Sequence, residues 1–413
     1  MNAPLKHADV VTSAKGGTAV MAGFAIAVLI SSYAINGMDR VLFPLLLTDV
    51  RHEYGFGLPE AGLLSTIFTL GMALAGLPTG YLMSRFSRKT VTQIGILIYS
   101  AGTIVTVMSG GFADMLAYRA ATGVGEAMQL TSLLAIFSSY FSRNRAVGVG
   151  TLNYAYAFGA IIGPMLGTSL LVHYGTWRVP MIVFGVLGLV VMVLVAVVVR
   201  PWFSEVDGST QRELRAGGAP TLRNRNTLVL ALLSVLLGLG LYGYLGMYPT
   251  FLREQLHFAP TSIGRVMSAY GLGVLVSLGT GWLGDRFPAR AVLSLSFLVA
   301  AGTCALLFNG PTSFAAQAAF SFVLGATFSG TIFVNLAGYS VKVVTDALAG
   351  RASGIFVTSL YGSATVAGYL VGWMARLFGW TTAADVLLVL LCVIAAAISL
   401  LVQSPPASKA SAR

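Results

Sequence analysis

Long apolar stretches separated by short polar segments make up most of this 413-residue chain. A helix needs about 20 apolar residues to cross the hydrocarbon core of a bilayer, and twelve stretches come close to or exceed that length. The pattern therefore predicts an all-α membrane protein with twelve transmembrane helices. The predicted spans are residues 20–47, 60–83, 90–110, 114–141, 146–173, 177–199, 227–252, 260–283, 291–309, 313–341, 352–375 and 382–403.

The longest polar interruption, from Arg200 to Asn226, divides six spans from six. It predicts a tail at 1–19, a six-helix bundle at 20–199, a central loop at 200–226, a second bundle at 227–403 and a tail at 404–413. The two halves also share a pattern at constant spacing, which indicates duplicated, pseudo-symmetric bundles that rock around a central site. The matched residues are Gly62, Thr66, Phe68 and Gly71 in the first half and Gly264, Ser268, Tyr270 and Gly273 in the second.

Composition and charge placement agree with a membrane protein. Only 9% of the residues are charged and 56% are hydrophobic, whereas a soluble domain carries about 25% charge. Of the 25 Lys and Arg residues, eighteen fall in the segments on one side of the predicted spans and five on the other. By the positive-inside rule, this bias predicts a multi-pass protein of the inner (plasma) membrane with both termini in the cytoplasm. The net charge of +11 then reflects topology and not nucleic-acid binding.

Four charged residues lie deep inside the predicted spans, all in the first half. Asp39 and Arg40 are adjacent in the first span, and Arg119 and Glu126 are in the fourth. A spacing of seven residues places Arg119 and Glu126 on one helix face. A charge at the centre of a span costs at least about 2.5–3.5 kcal/mol, so such residues are functional candidates. The alternative is that they form structural ion pairs that tie the first span to the fourth.

The charge balance of these four residues suggests proton-coupled anion transport. Two carboxylates and two guanidinium groups sum to zero, and a bound anion would leave the cluster at −1. In a desolvated site, protonation of Asp39 or Glu126 then becomes favourable and frees an arginine for the anion. Proton and anion thereby favour each other's binding, as symport requires. Arginine suits this role because it stays charged and can bind a carboxylate with two hydrogen bonds.

The loops after the second and eighth spans resemble the cytoplasmic signature of the major facilitator superfamily. The first copy, "GYLMSRFSRK", has Gly80, Arg85 and Arg88, with Ser84 where the family has an acid. The second copy, "GWLGDRFPAR", has Gly281, Asp285 and Arg286. The resemblance implies a gating role for these six family-type residues, in which the acid helps to close the cytoplasmic side. Ser84 implies a weaker closure. The alternative is that the basic residues only fix topology.

Asp39–Arg40 together with Arg119 and Glu126 in "YRAATGVGEA" resembles the anion:cation symporter subfamily, which includes sialin, vesicular glutamate and bacterial sugar-acid transporters. The resemblance implies proton coupling at Asp39 and Glu126, carboxylate contact at Arg40, and Arg119 as an alternate partner of the buried acids. The spinster lipid transporters share the Asp-Arg pair and the Gly-x-Gly-Glu-Ala run, so a lysolipid carrier remains an alternative.

Besides Arg40 and Arg119, polar side chains at membrane depth are candidate substrate contacts. In the superfamily the first, fourth, seventh and tenth spans line the cavity, which makes Tyr242, Tyr244 and Asn335 candidates. Asn153 and Tyr156 in the fifth span and Tyr361 in the eleventh also carry polar groups at this depth. For any single tyrosine, packing or an interfacial position is the competing interpretation.

Other chemistry finds no support in the sequence. It contains no Walker-type phosphate loop, no histidine at membrane depth, and two cysteines, Cys304 and Cys392, without metal-ligand spacing. We therefore predict a monomeric, proton-coupled symporter of an organic carboxylate, such as a sugar acid, aromatic acid or small carboxylate, with no cofactor and no enzymatic activity. A lysolipid transporter, a proton-coupled drug or metabolite exporter and a non-transporting membrane sensor are the alternatives.

Overall fold

The computed structural model describes residues 7–141, 145–205, 218–345 and 348–403, and helices account for most of this part of the chain. Two π-helical segments, Phe328–Phe333 and Asp385–Leu390, join α13 to α14 and α16 to α17. The helices are α1 His7–Tyr54, α2 Leu58–Thr66, α3 Phe68–Arg85, α4 Arg88–Thr106, α5 Phe112–Tyr140, α6 Arg145–Tyr174, α7 Arg178–Val198, α8 Pro201–Ser204, α9 Arg225–Glu254, α10 Pro260–Val274, α11 Ser277–Arg286, α12 Ala289–Asn309, α13 Phe314–Thr327, α14 Val334–Lys342, α15 Ala349–Phe378, α16 Trp380–Ala384 and α17 Leu391–Ser399.

These helices follow the order of the twelve predicted spans. Within the described residues, ten helical segments are long and apolar enough to cross a membrane. The other two predicted spans correspond to α4 and to the consecutive pair α10 and α11. The prediction of an all-α, twelve-span membrane fold is therefore confirmed.

Local sequence signals set where several of these helices begin and end. Ser87 and Asn224 cap α4 and α9, because their side chains accept hydrogen bonds from backbone N–H groups of the first turn. Pro260 starts α10 at a position where the missing N–H costs nothing. Gly379 separates α15 from α16 with φ of +85°, a conformation that strongly favours glycine.

The internal repeat is visible as two equivalent helix contacts. Phe68 of α3 places its backbone carbonyl directly against Gly123 of α5, and Tyr270 of α10 does the same against Gly325 of α13. A Cβ atom on either glycine would collide with that carbonyl, so a small residue is required for this approach. The two halves therefore use the same device to hold their second and fourth spans together.

The two halves meet through small residues near one end of the molecule. We call the end that contains Tyr54 and Glu254 the outer end, and the end that contains Arg85 and Arg286 the inner end. Gly62 of α2 packs against Gly368 of α15 so closely that a Cβ on either would strike the other backbone. Between α6 and α10, Ser268 Oγ donates a hydrogen bond of 2.6 Å to the carbonyl of Ile161. These contacts bring the outer halves of the two bundles together.

Candidate functional site

The four charged residues predicted inside the membrane form one buried cluster between α1 and α5. Asp39 and Arg40 project from the middle of α1, and Arg119 and Glu126 project from one face of α5. None of the four is more than 7% exposed. The structure thus brings together the residues for which the sequence predicts proton coupling and anion contact.

The cluster is arranged as two crossed ion pairs. Arg40 Nε lies 2.9 Å from Glu126 Oε2, and Arg119 Nη1 lies 3.7 Å from Asp39 Oδ2. Thr103 of α4 donates a hydrogen bond of 2.9 Å to the other oxygen of Asp39. Each α1 charge is therefore paired with an α5 charge of opposite sign, and the cluster is neutral as a whole.

The guanidinium groups of both arginines have buried hydrogen-bond donors without an acceptor. Arg40 Nη2 and all three side-chain nitrogens of Arg119 are buried and have no hydrogen-bond partner among the described residues. A buried donor without an acceptor is costly, so such groups favour an incoming oxygen ligand. An anion that reached them would compete with Asp39 Oδ2 and the two Glu126 oxygens, which also have no hydrogen-bond partner among the described residues.

Aromatic rings surround the two arginines in different ways. The guanidinium carbon of Arg40 lies 5.9 Å from the ring centre of Tyr33 and 5.8 Å from that of Tyr156. The guanidinium carbon of Arg119 lies 4.7 Å from the ring centre of Phe43 and 5.6 Å from that of Phe68. These distances fall within the range of favourable cation–π contacts. Tyrosine hydroxyls can add hydrogen bonds near Arg40, whereas the two rings beside Arg119 are purely apolar.

A narrow cavity lies between the two halves, and Arg40 opens onto it. Its volume is about 10 Å³, roughly the space for one water molecule. Tyr361 adjoins the cavity wall through an edge contact of 5.9 Å with Tyr242. The lining residues are Arg40, Val41, Pro44, Ser65, Phe68, Tyr156, Tyr242, Leu245 and Gly246. A larger solute would need the two halves to separate.

Three other predicted substrate contacts lie elsewhere. The Tyr244 hydroxyl is 2.6 Å from Ser321 Oγ inside the second half. Asn335 Nδ2 donates to the carbonyls of Thr280, at 3.2 Å, and Thr331, at 2.9 Å. Asn153 is only partly buried on α6. None of these three lines the cavity beside Arg40, so we do not include them in the proposed binding site.

The predicted gating residues lie at the inner end of the molecule. Gly80 lies in α3, and Arg85, at the end of that helix, packs its guanidinium 5.1 Å from the ring centre of Tyr81. Ser84 donates its hydroxyl to the carbonyl of Tyr81 at 2.7 Å. Arg88 Nη1 donates to Ser139 Oγ at 2.9 Å.

An acidic residue outside α3 and α4 accepts hydrogen bonds from the first turn of α4. The Glu205 carboxylate accepts hydrogen bonds from the backbone N–H groups of Arg88, at 3.1 Å, and Lys89, at 3.2 Å. In the second copy, Arg286 packs 5.2 Å from the ring centre of Trp282. Gly281 and Asp285 belong to α11, and the Asp285 side chain lies outside the described part of the structure.

Three aromatic neighbours of the two arginines were not predicted from the sequence. Tyr33, Phe43 and Phe68 are ordinary members of apolar spans, and nothing in their sequence context marks them as neighbours of an arginine. A second polar chain also joins α1 and α5, since Asn36 Nδ2 donates to Gln129 Oε1 at 2.9 Å and Gln129 Nε2 donates to Ser32 Oγ at 3.0 Å. Asn36 and Gln129 are each three residues from a member of the charged cluster, and that spacing could have identified them.

Ion pairs across the two halves close the outer end above the cavity. Arg51 of α1 pairs with Glu254 of α9, and Asp49 Oδ1 lies 3.9 Å from Arg253 Nη2 on the same two helices. A further pair, Glu53 with Arg178 at 2.6 Å, stays within the first half. The first two pairs hold the bundles together, whereas the third does not cross between them.

We expect Glu254→Gln to favour opening of the outer end. Partly exposed ion pairs contribute about 0.2–1 kcal/mol, so the open population should rise roughly 1.5- to 5-fold. The measurement is the labelling rate of Ser65→Cys by an impermeant thiol reagent added from the outside, in a background without Cys304 and Cys392. Glu53→Gln is the control, because its pair lies within one half. Equal labelling rates in the two variants would contradict the assignment.

Comparisons with known proteins agree with the fold. A family model described as Major Facilitator Superfamily matches residues 29–232 and 230–413. The chain is 30% identical over 191 residues to the protein spinster of Drosophila melanogaster, a match that covers 46% of this chain and 32% of that protein. It is 27% identical over 273 residues to the cis,cis-muconate transport protein of Acinetobacter baylyi, covering 62% of this chain and 64% of that protein.

A solved structure has the same overall arrangement. It is the crystal structure of a bacterial homologue of the human lysosomal transporter Spinster, in an inward-facing and unoccupied conformation. The TM-score is 0.75 at 16% sequence identity, and the match covers 92% of this chain and 97% of that one. At this identity the similarity concerns the fold.

Proposed function

Because the chain belongs to the Major Facilitator Superfamily, we propose that it carries a small organic carboxylate across the membrane together with a proton. Family membership makes it a multi-pass membrane transporter and not an enzyme. The observation that carries the finer proposal is the neutral, buried set of crossed ion pairs with Arg40 at the cavity wall. We infer that a neutral, buried cluster of this kind accepts an anion only when a proton neutralises the added negative charge.

The coupling follows from electrostatics inside a water-poor site. A carboxylate bound to Arg40 competes with Glu126 for the same guanidinium group, which lies 2.9 Å from the Glu126 oxygen. An extra negative charge in such a site is costly unless a proton neutralises one carboxylate. Glu126 is the natural acceptor because the substrate takes its partner. Proton and substrate then bind together and leave together, and the loaded site has no net charge while the two bundles change conformation.

The cavity wall favours a carboxylate with an apolar, planar body. Phe68, Tyr156 and Tyr242 present rings beside Arg40, and Leu245 completes an apolar surface. A sugar acid would have to find partners for several hydroxyl groups, and besides Arg40 this wall offers only the side-chain hydroxyls of Ser65, Tyr156 and Tyr242. An unsatisfied buried hydroxyl is costly. Aromatic or unsaturated acids fit this surface better. The muconate transport protein, which matches most of this chain, is itself named for an unsaturated acid.

The orientation follows from the charges at the two ends. We propose that the inner end, which carries most of the basic residues, faces the cytoplasm. The protein would then reside in the inner (plasma) membrane with both termini in the cytoplasm, and work as a monomer. With this orientation, the outer ion pairs between α1 and α9 close the external side.

A lysolipid carrier is the second candidate function. The 30% identity with spinster supports it, and the aromatic wall of the cavity could also contact an acyl chain. The two functions differ in what the charged cluster must do. A lysolipid places its headgroup, not a carboxylate, beside Arg40, and its transport need not depend on a proton gradient.

Purified protein in proteoliposomes separates the two functions. With the lumen one pH unit more alkaline than the outside, we expect accumulation of labelled 4-hydroxybenzoate up to about tenfold above equilibrium, since one proton per substrate supplies about 1.4 kcal/mol. Gluconate and lysophosphatidylcholine are tested in parallel, and protein-free vesicles correct for passive diffusion of the acid. A protonophore should abolish the accumulation. Protonophore-insensitive uptake, or flux of the lysolipid alone, would refute carboxylate symport.

A further inference from the structure

Phe68 stands between the Arg119–Asp39 pair and the central cavity. Its side chain lines the cavity and makes an edge contact of 5.9 Å with the ring of Tyr242. Its ring centre also lies 5.6 Å from the guanidinium carbon of Arg119. Arg119 is fully buried and does not line the cavity. One ring therefore separates the buried Arg119–Asp39 pair from the space that the substrate enters.

The backbone holds this ring in a fixed place. Phe68 is the first residue of α3, immediately after the break at Ile67 that separates α2 from α3. Its carbonyl packs against Gly123 of α5, which lies between Arg119 and Glu126 along that helix. Gly71, one turn later, packs against the α5 backbone at Ala120. These contacts fix Phe68 relative to the two α5 charges.

The second half shows that an aromatic residue at this point does not have to be apolar. The equivalent contact there belongs to Tyr270, which packs against Gly325 and places its hydroxyl 2.5 Å from Ser329 Oγ. The first half has a phenylalanine at the matching position, beside a buried arginine with unused donors. A ring with a hydroxyl group would offer a hydrogen bond to water at this position, and phenylalanine does not.

We propose that Phe68 is a coupling residue: its ring keeps cavity water away from the Arg119–Asp39 pair, so that protons cross the protein only with substrate. The inference rests on the proposed proton-coupled function. Without the ring, water in the cavity reaches Asp39 and Arg119 directly. Asp39 then exchanges protons with whichever side the cavity faces, with or without a bound carboxylate. The substrate gradient and the proton gradient become independent.

Chemical access to the pair tests the barrier itself. Thr103→Cys, in a background without Cys304 and Cys392, places a thiol beside Asp39, where Thr103 is fully buried. In proteoliposomes we expect a small methanethiosulfonate reagent to modify this thiol at least about tenfold faster in Phe68→Ala than with Phe68 intact, because local access controls the reaction of a buried group. Phe68→Tyr keeps the ring, which still blocks a reagent larger than water, so its labelling rate should lie near that of the protein with Phe68 intact.

The matched control is Phe43→Ala. Phe43 covers the other face of Arg119 at 4.7 Å and is fully buried, but it does not line the cavity. This variant deletes the same ring and leaves a comparable hole in the core. We therefore expect no faster labelling from the cavity in Phe43→Ala. Folding of every variant is checked by its thermal unfolding midpoint and by elution as a single species in detergent.

Proton flux without substrate tests the coupling. With the outside more acidic than the lumen and the voltage clamped, the lumen of vesicles with Phe68→Ala should acidify without added carboxylate. Vesicles with the unmodified protein or Phe43→Ala should show no such proton leak. Slow labelling in a folded Phe68→Ala protein, or equally fast labelling in Phe43→Ala, would overturn the barrier. Fast labelling without a proton leak would overturn the coupling role. If the unmodified protein shows no substrate-dependent proton flux, the proposed symport itself fails, whatever the labelling shows.

Discussion

Glu126→Gln is expected to abolish proton-driven accumulation of the carboxylate while leaving exchange of labelled for unlabelled substrate intact. The amide has the shape of a protonated carboxyl group, so Arg40, which lies 2.9 Å from the Glu126 oxygen, loses a charged partner and stays available to the anion. Loading and exchange continue because neither requires a proton to leave. Under a gradient of one pH unit, the accumulation ratio should fall from about tenfold to about one.

The pH dependence of substrate binding should change in the same variant. Since proton and anion favour each other's binding, the affinity of the unmodified protein should fall as the pH rises. Glu126→Gln carries no proton at this position, so its affinity should stay high and vary less with pH. Asp385→Asn is the control, because Asp385 is an exposed carboxylate paired with Asn309 far from the cluster. Continued accumulation by Glu126→Gln against the pH gradient would remove Glu126 from the proton pathway.

Much of the fold could be predicted from the sequence because the membrane restricts the choices. Each span must be a helix of at least about 20 apolar residues, and the polar segment from Arg200 to Asn226 marks the division into halves. The internal repeat was also informative, since Phe68 with Gly123 and Tyr270 with Gly325 make the same contact. The breaks after Thr66 and Val274 were not predicted, because no proline or glycine stands at Ile67, Leu275 or Val276.

The site could be predicted only in part, because sequence spacing places residues on a helix but does not orient one helix against another. The rule of 3.6 residues per turn puts Arg119 and Glu126 on one face. It does not tell which carboxylate each arginine meets, and the crossed pairing comes from the way α1 packs against α5. The same rule separates Tyr242 from Tyr244 by about 200° around α9. Only Tyr242 lines the cavity, and Tyr244 points into the second half.

The apolar residues around the charges gave no sequence signal of their proximity to Arg119. An additional phenylalanine in an apolar span is expected in any membrane helix, so Phe43 and Phe68 could not be distinguished from lipid-facing or core residues. The proximity of Phe68 to Arg119 depends on close helix packing at Gly123 and Gly71. The proton-coupling and substrate roles of the individual residues stay predictions, and variants of Glu126 and Arg40 test them most directly.

Arg40→Lys is expected to weaken carboxylate binding about 10- to 150-fold, the loss of one charged hydrogen bond of about 1.5–3 kcal/mol. Lysine keeps the charge but loses the planar fork that binds both carboxylate oxygens. It also loses the flat group that lies 5.9 Å and 5.8 Å from the ring centres of Tyr33 and Tyr156. Calorimetric titration with 4-hydroxybenzoate at low pH, where the carrier should hold its proton, measures the change.

Two further Arg→Lys variants test whether the loss of carboxylate affinity is specific to Arg40. Arg178→Lys alters a partly exposed pair with Glu53 at the outer end, and such pairs contribute about 0.2–1 kcal/mol, so binding should stay the same. Arg119→Lys alters the arginine behind Phe68, which does not line the cavity, and should disturb accumulation more than affinity. If Arg40→Lys bound the carboxylate as tightly as Arg178→Lys, Arg40 would not be the anion contact. A larger loss of affinity in Arg119→Lys would instead assign the anion contact to Arg119. Lysine cannot replace the two hydrogen bonds of the guanidinium group that binds the substrate carboxylate.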